Sequence, residues 1–267
     1  MEKSGSAEAE YRTSQIPYPG NLDQRSSEIY VSIVARAAWR IKMASEKEWV
    51  DRWLSPARFS TYLRAAGGDF HRALRLYDWN ADVSAALFRD IGHLEVALRN
   101  TCDRALSAGF KGDWTAGSAL QILFPRHMKL DKPGGKRRDV NEPQRKMVQK
   151  ARDSCTSEES PIPEHGKIVA ELMFGFWTSL FESKFEKFVW VPYLHLAFPD
   201  GTDRTQLADT LRDIREVRNR IAHHENVLTG GHAANRQIAS LMKMISPEAA
   251  AHTAKTSQVD SLLRRKP

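Results

Sequence analysis

The sequence predicts an all-α protein, and three observations carry the prediction. Apolar residues recur at intervals of three and four rather than two. Ser, Pro and Gly stand where helices would start and stop, and no alternating β-branched run occurs, so sheet content is expected near zero. With 267 residues, 41% of them hydrophobic, the chain can bury a core of its own.

Residues 1 to about 27 are polar, punctuated by Pro and Gly, and lack a sustained apolar period. The stretch Ile29 to Met43 is interrupted by Arg36, Arg40 and Lys42 and reads as an amphipathic helix or as extraneous sequence. Residues 1–42 are therefore expected to be a flexible or extraneous segment. Ser45 and Glu48 have the spacing of a capping box, which places the start of a single all-helical domain, 43–250, at Met43. From Glu46 to Leu106 apolar residues follow the helical period: Trp49, Val50, Trp53, Leu54, Phe59, Tyr62, Leu63, then Leu87, Ile91, Leu94 and Leu98. Breaks fall at Ser55-Pro56 and Gly67-Gly68, and every Trp and Leu of the run is read as core.

Between about 125 and 166 a basic, loop-rich insertion follows, with Lys136, Arg137, Arg138, Arg145, Lys146, Lys150 and Arg152 among prolines and glycines and a short helix over Glu142 to Asp153. It reads as a solvated connection or as a surface that tracks phosphates. A buried helix is expected over Ile168 to Leu180, which is apolar nearly all round. A long amphipathic helix is expected over Asp203 to His224, with Leu207, Leu211, Ile214, Val217 and Ile221 on its apolar stripe. Residues 251–267 are expected to be a disordered C-terminal tail.

Forty basic against 33 acidic residues leave a formal charge of +7, a bias toward polyanionic partners such as nucleic acid. The two cysteines, Cys102 and Cys155, offer neither a disulfide framework nor a thiolate zinc site and fit a reducing cytoplasm. No signal-peptide pattern opens the chain, and no apolar run approaches the roughly 20 residues that span a bilayer, so no membrane partner is expected. Phosphate-loop, nucleophile-elbow and HExxH motifs are missing, which removes nucleotide hydrolysis, serine hydrolysis and zinc proteolysis.

The segment that carries chemistry is Arg215-Glu216-Val217-Arg218-Asn219-Arg220-Ile221-Ala222-His223-His224-Glu225. At about 100° per residue, Arg215, Asn219 and His223 share one face, with Arg218 beside Asn219. Imidazole titrates near neutral pH and can move the proton of a ribose 2′-hydroxyl. A guanidinium fork can bind a scissile phosphate and stabilise charge developing on it. Asn219 can orient the imidazole or donate to a phosphate oxygen, and the grouping requires no metal and no cofactor. The same residues also fit a plain capping role, since histidines and an asparagine near a helix C-terminus can bond its carbonyls and complement the dipole.

Residues 218–223, Arg-Asn-x-x-x-His, resemble the signature of the HEPN superfamily. Together with WLSPARFSTYLRAAGGDFHRALRLYDWN (53–80), HLEVALRN (93–100), IVAELMFGFW (168–177) and RNRIAHHE (218–225), the chain resembles the Abi-like proteins of phage abortive infection over roughly residues 46 to 230. The resemblance implies a HEPN-like helical bundle with additional helices that forms a homodimer and brings two Arg-His motifs together. It implies metal-free endoribonuclease chemistry through the 2′-hydroxyl, with Arg218 and His223 catalytic, Asn219 supporting and His224 as a backup. Glu95 with Arg99-Asn100 is a second family element. It reads as a structural brace, or Arg99 and Asn100 line the RNA surface opposite Arg218. Arg215, Arg220, Lys136, Arg137 and Arg138 complete the expected RNA contacts. Three functions follow: a ribonuclease effector of antiphage defence, a non-catalytic module holding a structured or antitoxin RNA, and a protein-interaction domain. An antitoxin RNA or protein would be a further partner.

Overall fold

The computed structural model describes residues 23–158 and 161–267, and these divide into two compact units, the first running to Asp78 and including Pro267, the second from Trp79 to Lys266. In the first unit, α1 (Gln24–Leu54) starts where Asp23 accepts a hydrogen bond from the Ser26 N–H. It runs through Met43 without a break, so the helix begins nineteen residues before the domain start expected at Met43; the first 22 residues lie outside the described ones. A residue before proline is kept out of helical backbone by the proline ring, and Ser55 duly ends α1. Its side chain then caps α2 (Pro56–Ala65). Helix α2 closes with Gly67 at positive φ, the Gly67 N–H bonding Arg64 O and the Gly68 N–H bonding Leu63 O. Val50, Leu54, Phe59, Tyr62 and Phe70 are buried, with edge-on Phe59–Phe70 and Tyr62–Tyr77 pairs. Trp49 and Trp53 depart from the expected core role. They stack on each other at 5.8 Å and remain about half exposed, because they occupy the margin of the stripe on which Val50 and Leu54 are buried.

Helix α3 (Phe70–Phe110), capped by the Asp69 carboxylate on the Arg72 N–H, passes from the first unit into the second. In the second unit Val83, Leu87, Ile91, Leu94, Leu98, Cys102 and Leu106 form one stripe at steps of three and four, each at most 1% exposed. Around it come α4 (Ala119–Leu123), strands β1 (Met128–Leu130) and β2 (Arg137–Asp139), and helices α5 (Glu142–Ser154), α6 (His165–Glu171) and α7 (Phe174–Ser179). The long helix α8 (Arg204–Ala222) follows, then α9 (Gly231–Ile245), α10 (Pro247–Thr256) and α11 (Val259–Arg264). Trp114, Phe124, Phe176, Trp177 and Phe185 build an aromatic cluster with ring centroids 5.1 to 6.1 Å apart.

Two expectations are corrected here, for the segment 168–180 and for the tail 251–267. The segment 168–180 is two helices rather than one, with extended backbone at Leu172 and Met173 and the Leu172 carbonyl taken by the Trp177 indole N–H at 3.0 Å. A helix apolar all round must be covered on every side, and a bend lets successive turns face the core instead. The basic insertion contains a short antiparallel ribbon, Met128 opposite Asp139 and Leu130 opposite Arg137; its two three-residue strands are the one sheet among the described residues, and the all-α class holds. Asp139 fastens it by accepting from the His127 and Asn141 N–H groups and pairing with Arg145; against a burial effect of opposite sign, these bonds bring its carboxyl down to about 2. The tail 251–267 is helical rather than disordered. Val259 and Leu263 are buried, and the Trp79 indole donates to Leu262 O at 2.7 Å, because the short apolar spacing at 259, 262 and 263 finds a partner on α3.

One polar clamp joins three segments of this unit. His165, the first residue of α6, places Nε2 2.7 Å from Asp103 Oδ1 on α3 and Nδ1 2.9 Å from Asp113 Oδ1. Trp114 Nε1 donates to Asp103 Oδ1, and Arg152 of α5 pairs with Asp113 at 3.2 Å. Two carboxylates can both be satisfied only by an imidazolium, since neutral imidazole donates from one nitrogen alone. Burial works against that charge, but the bonds to Asp103 and Asp113 outweigh it and hold the His165 pKa above 6.5. The Asp113 carboxyl is likewise held below 3.8, its bonds to Thr115 and His165 overcoming burial. A raised imidazole pKa contributes stability fully below 6.5 and loses it as pH rises through the folded value. A depressed carboxyl contributes above 3.8 and loses it as pH falls. Unfolding free energy should therefore decline as pH rises above about 6.5, and His165→Gln should flatten that limb in chemical denaturation. An unchanged limb in the variant would show that the clamp carries no linkage.

Candidate functional site

The site is built on α8. Asp203 caps it, accepting from the Thr205 and Gln206 N–H groups at 2.7 and 3.2 Å. Leu207, Leu211 and Ile214 turn into the core, and this burial fixes the rotation of the helix. Val217 and Ile221, expected on the same stripe, are only half-buried because the helix leaves the core in its last two turns. Those turns carry Arg215, Arg218, Asn219 and His223, with Asn219 and His223 exposed.

Arg218 has its guanidinium carbon 5.7 Å from the centre of the Phe88 ring of α3, within cation–π range. Near it lies Glu95, also of α3. Burial pushes the Glu95 carboxyl above its ordinary value, while the positive charges of Arg218 and Arg99, and the Phe174 N–H at the start of α7, act in the opposite sense. One half-buried carboxylate thus sits in the field of two guanidiniums and a helix N-terminus. Arg99 has a buried Nε without a hydrogen-bond partner, and Asn100, the next residue, is exposed.

The end of α8 is closed by main chain. The N–H groups of His223, His224 and Glu225 bond the carbonyls of Asn219, Ile221 and Arg220 at 2.9, 2.9 and 2.8 Å. His224 occupies the left-handed region, φ 55°, at the position where glycine is usual. Capping of these carbonyls is thus accomplished without an imidazole. Arg220 is turned toward the following loop, donating to Asn226 O with its Nε 3.6 Å from Glu225. The loop is anchored one residue later, where the buried Val227 N–H donates to Asn80 Oδ1 of α3 at 2.7 Å.

The structure brings Arg218, Glu95 and Arg99 together and places Asn219 and His223 on the adjoining turn. Arg215 lies one turn earlier, with Nη1 3.5 Å from Thr178 Oγ1 of α7. Lys136, Arg137 and Arg138 stand exposed on the β ribbon, an element separate from α3 and α8. Phe88 and Asn80 were not anticipated. Phe88 lies seven residues before Glu95, two turns along the same face, and that spacing was the available signal. Asn80 ends the quoted LYDWN segment and gave no sign of its distant partner. Among the described residues no group of three or more His, Cys, Asp or Glu side chains is arranged to hold a metal ion, and no helix is long and apolar enough to cross a membrane.

A family model described as Abi-like protein matches residues 47–229, a span that includes every residue of the α3–α8 site. Comparisons with curated proteins and with solved structures returned no match.

Removing Asn80 leaves a buried N–H without a partner, so Asn80→Ala should lower stability by about 1–3 kcal/mol and raise hydrogen exchange at the Val227 amide above that of neighbouring amides. Unchanged exchange there would show that the loop is held by other contacts.

Proposed function

The chain belongs to the Abi-like protein family, a family associated with abortive infection, and on that premise we propose that it is a HEPN-type endoribonuclease that needs no metal. In this reading His223 takes the proton of a ribose 2′-hydroxyl. The 2′-oxygen attacks the adjacent phosphorus, the bond to the 5′-oxygen of the next nucleotide breaks, and the products are a 2′,3′-cyclic phosphate and a 5′-hydroxyl. Arg218, set against Phe88 and Glu95, offers its guanidinium to the phosphate as charge develops. Asn219 orients the imidazole or donates to a phosphate oxygen. His224, in left-handed backbone one residue on, is the backup, and Arg99 and Asn100 extend the polar surface on α3.

The observation that carries the reading is that main-chain N–H groups take the Asn219, Arg220 and Ile221 carbonyls at the end of α8 while the His223 side chain is exposed, so these three carbonyls do not call on its imidazole. A homodimer fits the same surface. Phe88 and Val96 are 44% and 45% exposed on the α3 face that adjoins Arg218, and Gly92 between them has no neighbour within 4 Å of the place a Cβ would take. A second copy laid on this strip would bring two Arg-His motifs close, and one His could protonate the leaving oxygen while the other accepts the 2′ proton.

The exposed cations Lys136, Arg137 and Arg138 support a second reading, a module that holds a structured or antitoxin RNA without cutting it. One experiment separates the two: cleavage of total RNA in EDTA by wild type, His223→Ala and Arg218→Ala, with the product ends analysed. The nuclease reading predicts cyclic phosphate ends from wild type and a loss of about 10²–10⁴-fold in His223→Ala, with folding retained. RNA bound but uncut by wild type, with affinity lost on replacing Lys136, Arg137 and Arg138 and a shallower salt dependence, would favour the binding module.

A further inference from the structure

Upstream of Arg218, the face of α8 enters a cavity that the nuclease chemistry does not use. It has a volume of about 380 Å³, large enough for a nucleotide. Its wall includes Arg204, Arg212 and Arg215 of α8, at intervals of eight and three that keep them on one side of the helix, and the hydroxyls of Thr178, Ser183 and Thr205. Two carboxylates also line it, Glu182 and Asp209, and both already have cationic partners: Lys184 lies 3.2 Å from Glu182 and Arg212 lies 2.8 Å from Asp209.

The three guanidiniums are unequally engaged. Arg204 is 11% exposed, donates to Phe181 O at 2.7 Å and lies 3.3 Å from Glu186, yet its Nε is buried and has no hydrogen-bond partner. Arg215 has, among the described residues, one long bond to Thr178 and no carboxylate within ion-pair distance. Arg212 is half exposed, so its surface pair with Asp209 contributes little and gives way readily to a stronger anion. A recess with surplus guanidinium donors and hydroxyls in its wall suits an oxyanion with several acceptor oxygens.

We propose that this cavity is a phosphate subsite for the RNA strand, upstream of the scissile phosphate. The proposal rests on the assignment of cleavage to Arg218 and His223. Arg215 is three residues before Arg218, about 4.5 Å along the helix axis and 60° around it, so a strand leaving the cavity at Arg215 reaches Arg218 next. Arg212, Arg215 and the hydroxyls hold a backbone phosphate, Arg204 supplies the buried positive field, and the subsite sets affinity and register rather than the rate of the chemical step.

The test uses the full chain carrying His223→Ala, so that RNA is not consumed, and a labelled single-stranded oligoribonucleotide of twelve residues. Arg212→Gln and Arg215→Gln should each weaken binding about tenfold and reduce the slope of log affinity against log salt by about one, with thermal melting unchanged. In the chain with His223 intact, the same substitutions should raise KM while leaving kcat near wild type. Affinity and slope equal to the parent in both variants would overturn the subsite. So would protection of the wild type by inorganic phosphate with no effect of either variant on RNA binding, which would assign the cavity to a free anion. The two readings fail separately: weakened binding in the variants with no cleavage by wild type sinks the nuclease and keeps the subsite, and cleavage with unchanged binding does the reverse.

Discussion

Seven side chains on one face of α3, from Val83 to Leu106, must all leave water together, and the rest of the second unit is arranged around that requirement. Full burial of each such side chain is worth about 1.5–3 kcal/mol, so the helix cannot rotate or slide without exposing the whole stripe. The polar residues on the same helix are positioned by consequence. Asn80 meets the loop after α8, Phe88 and Glu95 meet Arg218, and Asp103 meets His165. A long element with one continuous apolar face thus serves as the ruler against which the candidate site at the end of α8 is set.

Electrostatics at that end are arranged by burial more than by close ion pairing. Glu95 is held where water is scarce, which raises its pKa, and the two arginines beside it supply the counter-charge. Among the described residues no ion pair joins Glu95 to Arg218 or Arg99, so both guanidiniums act on this carboxyl through their field rather than by direct contact. The phenyl ring of Phe88 adds a flat support at 5.7 Å. The histidines that follow are presented by backbone geometry: a left-handed residue ends the helix, and Asn80 pins the chain before it can fray. Such pre-organisation costs no reordering when a ligand arrives.

Much of this was legible in the sequence because the governing signals are local. The three-four spacing of Leu207, Leu211 and Ile214 gave α8 and its rotation, and Gly67-Gly68 and Ser55-Pro56 marked the ends of α1 and α2. The same closing geometry at His224 was not legible, since no glycine announces it. The break at Leu172-Met173 was hidden because its cause, the Trp177 indole on a backbone carbonyl, is a tertiary bond rather than a breaker residue. The final helices were missed for the same reason: Val259 and Leu263 look like a polar tail's stray apolar residues until Trp79 and α9 are present to cover them. For the site, the residues sharing α8 could be grouped from spacing alone. Glu95 could be paired with Arg99 on its own helix, but its place beside Arg218 depends on how α3 meets α8, and no periodicity reports that.

The most direct measurement is cleavage of a defined oligoribonucleotide against the same strand with a single 2′-deoxyribose at the nucleotide preceding the cut, both in EDTA. The account predicts that the deoxy substitution abolishes cleavage at that position alone while binding is retained, because the 2′-oxygen is the nucleophile that His223 activates. Undiminished cleavage at the deoxy position would contradict it, and with it the role given to His223.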